Sequence, residues 1–231
     1  MYVYGKNVVN EVISNNNTIK KAFIDRKFND NQIINKLKKN NIKIKYLDKY
    51  DMDKMVDGNH QGVIFDVVDY QYFDIDEIIN DDDCLLVMLD HIEDPHNFGA
   101  IIRTCEAAGV NGIVIPKDRS VSVNSTVMKV STGALSNMKI SQVTNLNNTI
   151  KFLKDNGFWI VGTDMNGTCY CDIDYKGKTC IIIGNEGKGM SDLVSKNCDF
   201  IASIPMKGKI NSLNASVATG IVVFEALKSR S

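Results

Sequence analysis

The sequence predicts an α/β protein in two parts, a mostly parallel sheet covered by helices on both faces and, ahead of it, a smaller α/β domain. Three observations point there. Short runs such as Leu85–Leu89, Gly112–Ile115 and Ile181–Ile183 are apolar without polar alternation, as expected of strands buried on both faces. Segments of helical length separate them, which is the pattern of parallel crossovers. The acidic stretch DIDEIINDDD (Asp74 to Asp83) divides the chain. Residues 1–70 carry 12 Lys and Arg against 9 Asp and Glu, residues 71–83 none against 6, and the remainder 15 against 13. The acidic stretch therefore reads as a solvated linker, residues 71–83, between a domain at 1–70 and a domain at 84–231.

In the first domain, Asn7 to Ser14 reads as a helix and Ile19 to Ile24 as a strand. Asn29 to Lys39 reads as a helix opened by an Asn-Asp-Asn cap cluster. Ile42 to Tyr46 is a strand, Met52 to Val56 a helical turn, and Gly62 to Val68 a strand. Lys20, Lys21, Arg26, Lys27, Lys36, Lys38, Lys39, Lys43 and Lys45 crowd this half. Such a cluster attracts phosphates independently of sequence, and a solvated lysine-rich surface looks the same from charge alone.

The second domain opens with the strand Leu85 to Leu89. Asp94-Pro95 then precedes a helix from about Asn97 to Ala108, closed by Gly109. Gly112 to Ile115 is a strand, a helix lies within Asn124 to Leu135, and a strand lies near Met138 to Val143. Asn147 to Asn156 is a helix, and Phe158 to Gly162 is a strand carrying the only tryptophan, Trp159.

Composition excludes several classes. Hydrophobic residues at 44% and charged residues at 24% describe an ordinary globular chain with a real core. No apolar run approaches the roughly 20 residues that span a bilayer, and MYVYGKNVVNEV has no signal-peptide pattern, so a cytoplasmic protein is expected. A net charge of −1 argues against a general polyanion binder. The six cysteines form no C-x-x-C pair, so reduced thiols are expected rather than a zinc ribbon or redox motif. His91, Glu93, Asp94 and His96 invite a metal reading, but they sit in a proline-containing loop rather than a rigid ligand frame, and no metal is expected. His60 stands alone, as a structural residue or an RNA contact.

The last fifty residues hold the densest chemistry. In TCIIIGNEGKGM (Thr179 to Met190) a buried strand runs into Gly184, Gly187 and Gly189, interleaved with Asn185, Glu186 and Lys188. Glycines there let the backbone approach a bound molecule, although an ordinary strand-to-helix turn reads the same way. The loop is neither a phosphate-binding P-loop nor the G-x-G-x-x-G of a dinucleotide fold. A strand, Phe200 to Ile204, then ends at Pro205. After a polar turn (Met206 to Ile210) comes NSLNAS, followed by a helix whose small residues Ala215, Ala218, Gly220 and Ala226 allow close packing. Ser212 and Asn214 sit where N-caps occur.

Together GNEGKGM, IPMKGKINSLNASVATGIVVFEA and the upstream DPHNFGAIIRTCEAAG (Asp94 to Gly109) closely resemble the three motifs of the SpoU/TrmH-type RNA ribose 2′-O-methyltransferases, of the SPOUT superfamily. The two-domain layout and GNHQGV (Gly58 to Val63) look most like the subgroup that methylates a guanosine ribose in 23S ribosomal RNA. The resemblance implies a C-terminal trefoil knot, a small L30-like RNA-binding domain in front, S-adenosylmethionine as cofactor, RNA rather than DNA as partner, and a homodimer with residues of both chains near each cofactor. It implies cofactor contacts at Gly184, Ile204 and Leu213, with Thr163, Asp164, Asn185 and Gly187 on the same loops. It also implies a catalytic set of Arg103, Asn97, Glu186, Ser212 and Asn214.

Methyl transfer to a ribose hydroxyl needs positioning and charge stabilisation rather than a covalent intermediate. The family assigns the proton to the motif arginine, here Arg103; a guanidinium with a pKa above about 12 is better suited to stabilise the developing alkoxide as a cation. Asn97, Glu186, Ser212 and Asn214 would orient it and the ribose. Two rival classes fit less well. A dinucleotide oxidoreductase should show a glycine-rich turn after its first strand, where HIEDPHN stands instead, and a non-catalytic RNA-binding protein has no use for the five polar residues together. Transfer-RNA methyltransferases remain close relatives of the ribosomal-RNA reading.

Overall fold

A computed structural model describes residues 1–14, 18–209 and 212–230. The elements run β1 (Tyr2–Tyr4), α1 (Lys6–Ser14), β2 (Ile19–Asp25), α2 (Asn31–Lys39), β3 (Ile44–Leu47), α3 (Lys49–Asp53) and β4 (Val63–Val67). They continue with β5 (Leu85–Asp90), α4 (Pro95–Ala107), β6 (Gly112–Pro116), α5 (Ser125–Ser131), β7 (Ile140–Val143), α6 (Leu146–Asp155) and β8 (Trp159–Cys169). Last come β9 (Thr179–Gly184), α7 (Asp192–Lys196), β10 (Phe200–Ser203) and α8 (Ala215–Ser229). Within the turn expected after Pro205, Ile210 lies outside the described residues, as does the Asn211 that follows.

Two compact units divide the chain, one of Met1–Gln71 with Val123–Ser136, the other of Tyr72–Ser122 with Asn137–Ser231. The first unit holds a four-stranded sheet in the order β1-β4-β2-β3, in which β2 and β3 run parallel and β4 runs antiparallel to its neighbours. Its core joins Val8, Val9 and Val12 of α1 with Ile33 and Leu37 of α2 against Ala22, Ile24, Val63 and Phe65 of the sheet. Asp30 caps α2 by accepting the N–H groups of Gln32 and Ile33 at 3.2 and 3.3 Å, as the cap cluster predicts. Met128 of α5 packs on this core, so a segment expected in the second domain belongs to the first unit. His60 is a structural residue: only 4% exposed, it pairs through Nε2 with Asp53 at 2.9 Å and accepts the Gly62 N–H at 2.9 Å through Nδ1.

The second unit is built on a six-stranded sheet in the order β10-β8-β9-β5-β6-β7, with every pairing parallel. β5 and β9 are neighbours at its centre, paired from Leu85–Thr179 to Asp90–Gly184. Leu86, Met88, Cys180 and Ile182 meet Leu146, Ile150 and Leu153 of α6 in the core on one face. α4 and α8 pack against each other, Gly220 lying opposite Thr104. Asp94 caps α4 by accepting the His96 N–H at 2.9 Å, and Pro95 takes the first helical position, where its missing N–H costs nothing. Gly109, at φ +71°, ends that helix in the left-handed conformation.

The acidic stretch corrects an expectation: it is not a solvated linker. The stretch belongs to Tyr72–Ser122 of the second unit, and Ile78 and Ile79 are buried in its core. The charges have partners as well, since Asp81 accepts from Asn111 at 2.9 Å and Asp83 pairs with Arg230. Charge density hid two isoleucines that supply the burial energy. β1 and α7 escape the periodicity reading because they are only 3 and 5 residues long, and β8 runs to Cys169, past the expected end at Gly162.

Leu86 is fully buried in the centre of the larger core. Leu86→Ala is expected to lower the unfolding free energy by about 2–5 kcal/mol, read as a fall in the urea midpoint at unchanged slope.

Candidate active site

The C-terminal ends of β8, β9 and β10 carry the site. β9 ends at Gly184, and the chain turns back at once: the Asn185 N–H donates to the Gly189 carbonyl at 3.0 Å and the Gly189 N–H to the Asn185 carbonyl at 2.8 Å. The Asn185 side chain works on both sides of this turn. Its Oδ1 accepts from the Gly187 N–H at 3.0 Å, while its Nδ2 donates to the His91 carbonyl at 2.7 Å. A Cβ at position 184 would stand 2.4 Å from the Gly189 carbonyl carbon and the Met190 nitrogen, so only glycine permits the return.

Beside this turn is a cavity of about 380 Å³. Three stretches line it: Thr163 to Met165 from β8, Ile183 to Gly189, and a third that contributes Ala202, Ile204, Met206, Ser212, Leu213, Ala215 and Ala218. All seven expected cofactor positions, Thr163, Asp164, Gly184, Asn185, Gly187, Ile204 and Leu213, are on its wall. Ile183, Ala202, Ile204, Leu213 and Ala218 make an apolar slot, and the Asp164 and Glu186 carboxylates give it two acidic groups. The Thr163 hydroxyl is already engaged, donating to the Ile182 carbonyl at 2.9 Å.

The expected catalytic residues divide. Asn97 donates to Glu186 Oε1 at 2.6 Å and accepts from Asn214 Nδ2 at 2.9 Å. Asn214 in turn caps α8, accepting the Ser216 N–H at 2.9 Å. One hydrogen-bonded chain thus joins the starts of α4 and α8 to the β9 loop. Ser212 lines the cavity but does not cap α8. Arg103 lies apart. It is six residues beyond Asn97, about 9 Å along the helix and on a different face. It is exposed, has no hydrogen bond or ion pair among the described residues, and is not on the wall of this cavity.

Sequence reasoning missed the brace behind the turn. Asp90, 1% exposed at the end of β5, accepts the Ser191 N–H at 2.7 Å and pairs with His91 Nδ1 at 2.5 Å. His91 is held at φ +61°, a strained position for a residue with a Cβ. A carboxylate closing an otherwise apolar strand, as in LLVMLD, is the one signal that could have found it. On the far side of the turn lies a second cavity, of about 960 Å³, lined among others by Asp90, His91, Arg119, Asn145 and Lys188. His91, Glu93, Asp94 and His96 form no metal-sized donor cluster among the described residues.

This is a parallel α/β domain with a loop-built slot for a small organic cofactor at the carboxyl ends of its strands, where open α/β sheets bind ligands. Comparison with known proteins makes that class specific. The model of the SpoU rRNA methylase family matches residues 84–224, and a model for RNA 2′-O ribose methyltransferase substrate binding matches residues 2–73. A protein of Staphylococcus saprophyticus, provisionally named a TrmH family tRNA/rRNA methyltransferase, is 43% identical over 99% of this chain and 95% of its own. Among solved structures, the SpoU methyltransferase AviRb of Streptomyces viridochromogenes with AdoMet superimposes with a TM-score of 0.81 at 26% identity, over 99% of this chain and 89% of its own. An AdoMet-bound rRNA methyltransferase of Sinorhizobium meliloti gives 0.80 at 26% identity, over 98% and 86%. The TrmH/SpoU tRNA modifying enzyme of A. aeolicus gives 0.58 at 33% identity and spans 63% of this chain and 74% of its own. The chain belongs to the SpoU rRNA methylase family, whose cofactor is S-adenosylmethionine.

The slot fits that cofactor: apolar walls suit the adenine and the methionine chain, and the two carboxylates suit ribose hydroxyls and a cationic sulfonium. Gly184→Ala is expected to weaken S-adenosylmethionine binding at least 10-fold by calorimetry, because the added methyl forces the Gly189–Met190 backbone outward.

Proposed function

We propose that this protein transfers a methyl group from S-adenosylmethionine to a ribose 2′-hydroxyl of RNA, with a guanosine of 23S ribosomal RNA as its target. The observation that carries the reading is the Asn214–Asn97–Glu186 chain at the edge of the cofactor slot, which aligns polar groups from three separate motifs. Thr163, Asp164, Gly184, Asn185, Gly187, Ile204 and Leu213 would hold S-adenosylmethionine, which would supply the methyl group from its sulfonium. Asn97, Glu186, Asn214 and Ser212 orient the ribose. The Arg103 guanidinium stabilises the developing alkoxide, and the hydroxyl proton passes to water or an RNA phosphate.

Arg103 is not among the residues that line its own chain's cavity, which supports a homodimer. α8, packed beside α4, leaves Val217 50% and Phe224 48% exposed, with Leu227 at 37%. Pairing two copies over this face would cover those side chains and bring an Arg103 to a second chain's slot. The same reading assigns a C-terminal trefoil knot and a cytoplasmic location. Among the described residues no helix is long and apolar enough to cross a membrane.

For the substrate, the first unit supplies what base stacking needs. Tyr46 and Tyr50 are 48% and 70% exposed on neighbouring elements, and the Lys54 ammonium sits 4.0 Å over the Tyr50 ring. Ribosomal rather than transfer RNA is favoured because the rRNA methyltransferase relative matches both units, whereas the tRNA modifying enzyme spans 63% of the chain.

With methyl-labelled cofactor and separated cellular RNAs, the label is expected in 23S RNA as an alkali-resistant linkage. Label confined to transfer RNA would move the target, and none in either would end the reading. Arg103→Lys is expected to lower turnover about 10²–10³-fold without loss of cofactor binding, and near-normal turnover would refute its role. Phe224→Glu is expected to shift the sedimenting species from dimer to monomer and to abolish methylation while the chain stays folded.

A further inference from the structure

The turn that follows β8 carries a side-chain cluster with no part in methyl transfer. Its sequence is Cys169-Tyr170-Cys171-Asp172. The Sγ atoms of Cys169 and Cys171 are 2.6 Å apart, Asp172 Oδ1 lies 3.8 Å from Cys171 Sγ, and one donor atom from each of the three residues falls within 4.8 Å of the others. Cys171 and Asp172 are exposed and Cys169 half-buried, so all three can be reached from solvent.

The backbone beneath the cluster is held on both sides. The fully buried Tyr175 donates its hydroxyl to the Tyr170 carbonyl at 2.9 Å, pinning the residue between the two cysteines. Ser203, opposite Cys169 in the β8–β10 pairing, donates to the Gly167 and Thr168 carbonyls at 3.0 and 3.2 Å. These bonds keep the two thiols converging. We infer that Cys169, Cys171 and Asp172 form a binding site for a thiophilic divalent cation of the zinc class, clasping the end of β8 beside β10.

Binding releases one proton from each thiol, forms two metal–thiolate bonds of about 2.3 Å and one bond to the carboxylate, and leaves a fourth position for water. Tetrahedral geometry needs the sulfurs roughly 3.8 Å apart, which exposed side chains reach by rotating about χ1.

The test uses the full reduced chain and cadmium or zinc alone. Cadmium is expected to give an ultraviolet thiolate-to-metal band at one ion per chain, with two protons released. Cys169→Ser and Cys171→Ser should each abolish the band while the circular dichroism is unchanged. Asp172→Asn should weaken binding at least 10-fold, and Cys198→Ser should leave it intact. A band that survives both turn-cysteine variants, or no retained ion, overturns the site. So does a purified chain two mass units light with both thiols closed to alkylation, since that makes the pair a redox couple instead.

Discussion

The structure depends on one close backbone approach. Where β9 ends, Gly184 lies so near Gly189 and Met190 that no side chain fits between them, and reciprocal hydrogen bonds between Asn185 and Gly189 close the turn. The turn is also tied to the neighbouring strand. Asn185 reaches the His91 carbonyl, and Asp90 receives the Ser191 N–H. The central β5–β9 pairing thus continues past the strand ends as side-chain bonds, which place one wall of the cofactor slot. His91 pays with a left-handed conformation, held against its steric preference by the Asp90 contact and the Asn185 bond.

From that wall the polar groups follow in order. Glu186 is the first side chain after Asn185, and it meets Asn97 from the first turn of α4; Asn97 meets Asn214, the cap of α8. Asn214 therefore has two uses at once, since its Oδ1 satisfies a helix N–H while its Nδ2 holds the network. A side-chain amide carries both a donor and an acceptor, so capping and site formation do not exclude each other. Arg103, six residues beyond Asn97 on α4, makes no hydrogen bond to this network among the described residues.

The first unit contributes exposed aromatic rings and cations rather than a deep pocket. Tyr46 and Tyr50 offer faces, and Lys54 already lies over one of them. These rings, on β3 and α3, lie in the part of the chain that matches the RNA 2′-O ribose methyltransferase substrate-binding model.

Much was legible in the sequence. Unbroken apolar runs marked β5, β6 and β9 because strands buried on both faces have no polar side to show. Asp94-Pro95 and Gly109 bounded α4 because caps and left-handed ends restrict residue type locally. The residues taken from the three motifs as cofactor positions line one cavity, because they sit on loops at the ends of neighbouring strands. Tertiary structure decided what depends on distant partners: that Ile78 and Ile79 draw an acidic stretch into a core, that Val123–Ser136 packs with the first unit, and that His91 is braced by Asp90. It also decided that Asn97, Glu186 and Asn214 touch while Arg103 does not. Local pattern reports what a residue can do; burial and contact between residues up to 117 positions apart exist only once the chain has closed on itself.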